Sequence, residues 1–354
     1  MHRVRRELFL PDDVPFGAGV RVAILDTGID PNHPDLAGRL DLAASRNFSR
    51  IDDLLDRDGH GTHVAGIIAG TGAASNGAYR GIAPHATIVV CKILSRTHGQ
   101  EMDAVAGIET ALAAGADVIN YSHGFAPPMD HPPPWLWSEA TNVLEDAFIE
   151  AERRGVLCVV AAGNKGPTLA SISRPGGLEC VLTVGALGLN GEVYETSGRG
   201  PYLRSPSVRP GGWVRFDQPL HTDAVKFKKP DIVLPGAGIT SLRSGHAPID
   251  EDGVTDPRYI QMGGTSEATA VATGLAAAML GLARAHGVDL GTNPGCIIRR
   301  LMICGASQLR VGGVDDFGSG TIVWQNLQSI LSDFANDAQF RQRIVDGHEL
   351  RLLD

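Results

Sequence analysis

Five short runs rich in β-branched residues are apolar along most of their length instead of alternating: VRVAIL (20–25), ATIVVCKIL (86–94), DVINYS (117–122), VLCVVAA (156–162) and VLTVGAL (181–187). A weaker sixth is DIVLP (231–235). A strand with one wet face alternates polar and apolar residues; a strand covered on both faces does not. Helix-compatible segments lie between several of the runs, best at 60–71, 101–114, 138–154 and 265–282. Strand–helix alternation of this kind predicts an α/β fold: a doubly wound, mostly parallel central sheet with helices on both faces. Segments 60–71 and 265–282 are apolar on nearly every side, so both are expected to be central buried helices.

Composition sharpens this reading. Glycine supplies 44 of 354 residues, about one in eight against roughly 7% in average usage. The glycines have no third-residue period, so a collagen-like chain is excluded, and close approach of buried elements is the better explanation. The net charge of −9 and the scattered Lys and Arg argue against nucleic acid as a partner. No uninterrupted apolar run reaches the ~18 residues of a membrane span, so no membrane association is expected. The start, MHRVRRELFLPDD, has only a four-residue apolar stretch and lacks the pattern of a signal peptide. The five cysteines, Cys91, Cys158, Cys180, Cys296 and Cys304, lie in or beside apolar runs without CxxC spacing. They read as reduced thiols in a cytoplasmic protein; a secreted enzyme that has lost its leader is the other option. Two stretches, 125–137 and 201–230, read as surface insertions.

Three segments carry candidate chemistry. In VAILDTGIDPNHPDL a strand ends in Asp26, where functional groups of open α/β sheets collect; alone, Asp26 reads equally as a turn or cap aspartate. In DGHGTHVAGIIAG, His60 opens an apolar helix and His63 follows one turn later, an arrangement that also admits a metal pair or a structural histidine. In MGGTSEATAVATGLAAAML, Ser266 lies just inside the start of a buried helix, where free N–H groups and the helix dipole favour a developing oxyanion. A hydroxyl needs a base to become a nucleophile, and that base needs a carboxylate to fix its tautomer. The set Asp26, His60 and Ser266 meets both needs. GAG at 17–19 precedes its strand, the wrong context for a dinucleotide fingerprint.

DTGID, GHGTHVAG and GGTSEATA resemble the three motifs around the catalytic residues of the subtilisin-like serine proteases, the subtilases, whose Asp…His…Ser chain order is also the order here. YRGIAPHATIVVCKIL, DVINYSHG, VVAAGNKG, SGRGP and KKPDIVLPGAGITS resemble further segments of that family in the family's order, over roughly residues 17–330. The resemblance implies a serine endopeptidase acting on polypeptides through an acyl-enzyme. Asp26 would orient His60, His60 would be general base and then acid, and Ser266 the nucleophile. Asn164 would be an oxyanion donor beside the Ser266 N–H. Ser122, Gly124 and Gly163 would line the substrate strand's site, with Gly99 on the opposite edge. It implies an N-terminal arm (1–16), a peptidase domain (17–330) and a C-terminal tail (331–354) packed on it or mobile. No cofactor is required; a structural calcium has one candidate ligand, Asp35, while the loop at 70–81 lacks the accompanying Asn-rich pattern. Two departures stand beside the nucleophile: Glu267, where a Met is usual, and Ala270, at a Pro position. Glu267 is expected to alter the electrostatics there, unless it is simply a helix-start acid. With no room for a long propeptide before Asp26, an intracellular member restrained by a regulatory protein partner, the arm or the insertions is expected. A catalytically weak peptide-binding module is the alternative.

Overall fold

Each of the apolar runs becomes a strand of one seven-stranded parallel sheet. The computed structural model describes residues 1–49, 53–95, 99–124, 140–204, 225–248 and 254–347. Its main strands are β1 (Arg21–Asp26), β2 (Arg46–Asn47), β3 (Thr87–Lys92), β4 (Val118–Tyr121), β5 (Leu157–Ala161), β6 (Val181–Leu187) and β9 (Ile232–Pro235), in the order β2-β3-β1-β4-β5-β6-β9. Ala23 pairs with Val89 on one side and Ile119 on the other, which puts β1 near the middle. Between β6 and β9, β7 (Tyr202–Arg204) and β8 (Val225–Phe227) form an antiparallel pair. Most of the 201–230 insertion, and all of 125–137, lie outside the described residues.

Side chains that alternate along a strand point to opposite faces, and here both faces are dry. Val22, Ile24, Ile88, Val90, Leu157 and Val159 join a cluster with residues of α2 (His60–Ala69) and α5 (Thr265–Ala285). Ala23, Leu25, Val89, Cys91, Ile119, Cys158 and Val160 join a second cluster with α3 (Glu101–Ala113) and α4 (Ala140–Arg153). This double covering is why the strands read as continuous apolar runs. By length and composition α5 could cross a membrane, yet 83% of its apolar window is buried inside the fold. A three-stranded antiparallel sheet, β10 (Ile239–Leu242), β12 (Tyr259–Met262) and β11 (Val254–Asp256), packs its first strand against α2.

The ends of the chain share the larger cluster. Val4 and Leu8, of α1 (His2–Glu7) and the turn after it, are buried there with Phe16, whose ring meets Trp324 edge-on at 4.6 Å. Beyond α6 (Pro294–Cys304) and α7 (Val314–Phe317), helix α8 (Trp324–Asn336) runs through residue 330, and α9 (Ala338–Asp346) adds Ile344 to the cluster. None of the five cysteines forms a disulfide. Burial pushes Cys91 up to about 12 and Cys180 up to about 11, which leaves both protonated and unreactive at neutral pH.

Glycine serves the packing of the two central helices. A Cβ on Gly274 of α5 would lie 2.5 Å from the Cβ of Ile82. Gly274→Ala gains about 1 kcal/mol in helix propensity against an overpacking cost of about 1–3 kcal/mol. We therefore expect a net loss of stability, seen as a lower midpoint in chemical denaturation, although an exposed helical Gly→Ala change would stabilise.

Candidate active site

Asp26 is the last residue of β1 and is 1% exposed. Its Oδ1 accepts the Thr27 N–H at 2.7 Å and meets Nδ1 of His60 at 2.8 Å. A carboxylate accepts only, so Nδ1 carries the proton and Nε2 of the neutral ring is left with its lone pair. His60 is the first residue of α2 and keeps 26% of its side chain exposed. Burial alone would push the Asp26 carboxyl up; the charge and hydrogen bond of His60, with the Thr27 N–H, outweigh it and hold Asp26 below its ordinary value. For His60 burial works downward, and is outweighed by Asp26, then Glu267 and Asp58, so the imidazole titrates above its ordinary 6.5.

A carboxylate that the sequence reading passed over holds this corner. Asp56 is fully buried. Its Oδ1 accepts from the Thr27 hydroxyl (2.9 Å), Asp58 N (3.2 Å) and Gly59 N (2.8 Å), and its Oδ2 from the N–H and hydroxyl of Thr62 (2.8 and 2.7 Å). Asp56 thus satisfies an orphan N–H in the first turn of α2 and binds that turn to the loop after β1. Thr27 Oγ1 in turn accepts from Gly61 N at 2.9 Å. Gly61 is needed because a Cβ there would strike the Gly28 carbonyl. The readable trace was an acid four residues before the histidine in DRDGH.

Ser266 is the second residue of α5 and almost fully buried. Its hydroxyl donates to the Ser122 carbonyl at 3.0 Å, and among the described residues no hydrogen bond joins it to His60. Ser122 follows β4; its hydroxyl donates to Asn120 Oδ1 at 3.0 Å, and Asn120 Nδ2 donates to Thr273 Oγ1 on α5 at 2.9 Å. At the head of α5, Thr265 donates both its N–H and its hydroxyl to one oxygen of Asn164, each at 3.0 Å. A backbone N–H can only donate, which identifies that atom as Oδ1 and leaves the Asn164 NH2 turned outward on an exposed side chain. The Ser266 N–H, in the first turn of α5, has no intrahelical acceptor. Gly163 has a left-handed φ of +93° and donates its N–H to Thr265 Oγ1 at 3.2 Å. Gly163 and Gly124 both back onto Ser173, which a Cβ on either would meet at once. A Cβ on Gly99 would strike the Leu94 side chain.

His63 and Asp35 are both buried and hydrogen-bonded within the protein. His63 is fully buried and turns its Nε2 to the Ile239 carbonyl at 3.0 Å, so it forms no pair with His60. Asp35 Oδ1 accepts the Ala74 N–H (2.7 Å) and its Oδ2 accepts the Tyr259 hydroxyl (2.8 Å). Each Asp35 oxygen thus takes one protein donor and keeps a second lone pair. Among the described residues no group of three or more His, Cys, Asp or Glu could hold a metal.

A profile of the subtilase family matches residues 17–320. Serine protease AprX of Bacillus subtilis (strain 168) is 34% identical over 291 residues, 75% of this chain and 57% of its own length. The major intracellular serine protease of the same organism is 35% identical over 191 residues, 51% of this chain and 55% of its own length. The chain thus spans little more than half the length of these curated relatives. The solved protease domain of PatA has a TM-score of 0.66 at 25% identity and covers 91% of this chain and 98% of its own; sphericase has 0.66 at 24%, with 91% and 97%.

Asp56→Ala leaves several buried donors without an acceptor, at about 1–3 kcal/mol for each one stranded. We expect a loss of about 3 kcal/mol or more in urea unfolding, while Asp58→Ala, on an exposed residue, changes stability by less than about 1 kcal/mol.

Proposed function

The chain belongs to the subtilase family, and on that ground we propose that it is a serine endopeptidase whose nucleophile is Ser266, general base His60, orienting carboxylate Asp26 and oxyanion donor Asn164. The observation that carries this reading is the 2.8 Å bond between His60 Nδ1 and Asp26. It fixes the tautomer in which Nε2 is the base.

In the reaction, the Ser266 hydroxyl leaves the Ser122 carbonyl and turns to His60 Nε2; such catalytic bonds often close only once substrate is bound. Nε2 takes the proton as Oγ attacks the peptide carbonyl carbon. Negative charge develops on the carbonyl oxygen and is met by the Asn164 NH2, already aimed by Thr265, and by the Ser266 N–H. His60 then gives its proton to the leaving amine, and a water molecule repeats the sequence to free the acid. Asp26 stays ionised throughout and stabilises the imidazolium. The substrate is an extended polypeptide that adds as a strand along Ser122–Gly124, with Gly99 on the opposite rim. The named intracellular relative and the protonated, buried thiols support a cytoplasmic setting.

A fluorophosphonate probe should label the protein at Ser266 and fail to label Ser266→Ala; labelling elsewhere, or none, defeats the proposal. Asn164→Ala should cut kcat by about 10²–10³, a figure set by the corresponding donor of subtilisin itself. The base must be neutral and its pKa is raised, so kcat/KM should climb with pH through an ionisation above 6.5. A chelator should leave the melting temperature unchanged. Tyr259→Phe, which strips Asp35 of a buried donor, should lower stability by about 1–3 kcal/mol.

A further inference from the structure

Glu267 follows Ser266 and is 2% exposed, enclosed between α5 and α2. Its Oε1 lies 3.5 Å from Nδ1 of His63, which is 0% exposed. His63 Nε2 faces the Ile239 carbonyl, an acceptor, so Nε2 holds the hydrogen and Nδ1 of the neutral ring is a bare lone pair. That Nδ1 is buried with no hydrogen-bond partner. An ionised Glu267 would set lone pair against lone pair. A protonated His63 would be a cation without solvent, close to His60 and to the Met1 amino group at the Thr240 carbonyl.

We propose that Glu267 is a positioning residue: as a neutral carboxylic acid it donates a hydrogen bond to His63 Nδ1 and ties the helix that begins at His60 to the helix that presents Ser266. Closing the 3.5 Å separation to the usual 2.7–3.2 Å needs a shift of only a few tenths of an ångström. The surroundings favour the neutral pair. Burial pushes Glu267 up to about 7, with the His60 charge opposing it and Asp26 adding to it. Burial pushes His63 down, and His60 pushes it further. The ionisable groups about the pair are His60 of α2, Asp26 of β1, Asp58 in the turn before α2, and the Met1 amino group. While Glu267 is neutral it adds no charge behind His60. Once ionised it holds the imidazolium more tightly, and the base is freed only at higher pH.

The inference rests on the Ser266–His60 reading for its kinetic consequences, but the pair itself can be tested without turnover. Infrared spectra of the intact chain should show the carbonyl stretch of a protonated carboxylic acid below pH ~7 that fades as the pH rises and is missing in E267Q. Absence of the band in wild type, or its persistence in E267Q, overturns the proposal. In kinetics, E267M, which cannot donate, should lose about tenfold in kcat with little change in KM, a modest effect beside the hundredfold that a 1 Å misplacement can cost. E267Q keeps an N–H donor and should recover most of that loss, with the rising limb of kcat/KM moved to lower pH. Equal kcat in E267M and E267Q overturns the positioning role. If Ser266 does not react with fluorophosphonate in any of these proteins, the catalytic reading has failed and the infrared result still decides the pair.

Discussion

The Asp56 carboxylate accepts five hydrogen bonds from Thr27, Asp58, Gly59 and Thr62, and the place of His60 follows from where those donors sit. A strand end and a helix start are both poor in internal partners: the first helical N–H groups have no carbonyl behind them, and the loop after β1 has left the sheet. One buried anion satisfies both ends at once. Asp26 and His60 then arrive at hydrogen-bond distance with little freedom to separate, which is the preorganisation that electrostatic catalysis depends on.

The second half of the site hangs on α5. This helix is built largely of Ala, Gly and Thr, runs buried through the fold, and lies against β4, β5, β6 and β9. Close packing of that sort leaves room for few side-chain atoms, so each polar group there has a defined partner. Thr265 aims Asn164, the Ser122 carbonyl accepts from Ser266, and Asn120 donates to Thr273. The exception is Glu267 against His63, and the cost of leaving such a pair unmatched is what makes it informative.

Much of this was legible in the residues. Strands β1, β3, β4, β5, β6 and β9 announce themselves because burial on both faces removes polar residues from the run. Asp26, His60, Ser266 and Asn164 are readable because each stands at an element's end among glycines, a local context that survives in one dimension. Other features are not local. Strands β10 and β12 are only four residues each, and their mutual pairing and the packing of β10 on α2 give them form. Asp56 looks like one acid among several in DDLLDRDGH, and its burial is decided by four other residues. Nothing beside Asp35 in the sequence signals that Tyr259, far along the chain, donates to it. Glu267 carries the marks of an exposed helix-start acid; that it faces His63 depends on the angle at which α2 and α5 meet.

A rod coated with methyl groups resists neither spinning about its axis nor sliding along it, and most of α5 is such a rod. Thr265 and Thr273 are two of the points where it is pinned, to Asn164 and Asn120, about two turns or ~12 Å apart, and Arg284 in the last turn is held by Gly19 and Asp117. Two pins set both the phase and the height of a cylinder. The aim of the Ser266 hydroxyl is then a property of the pinning: the polar contacts spaced along the rod, and not its apolar coat, decide where the nucleophile stands.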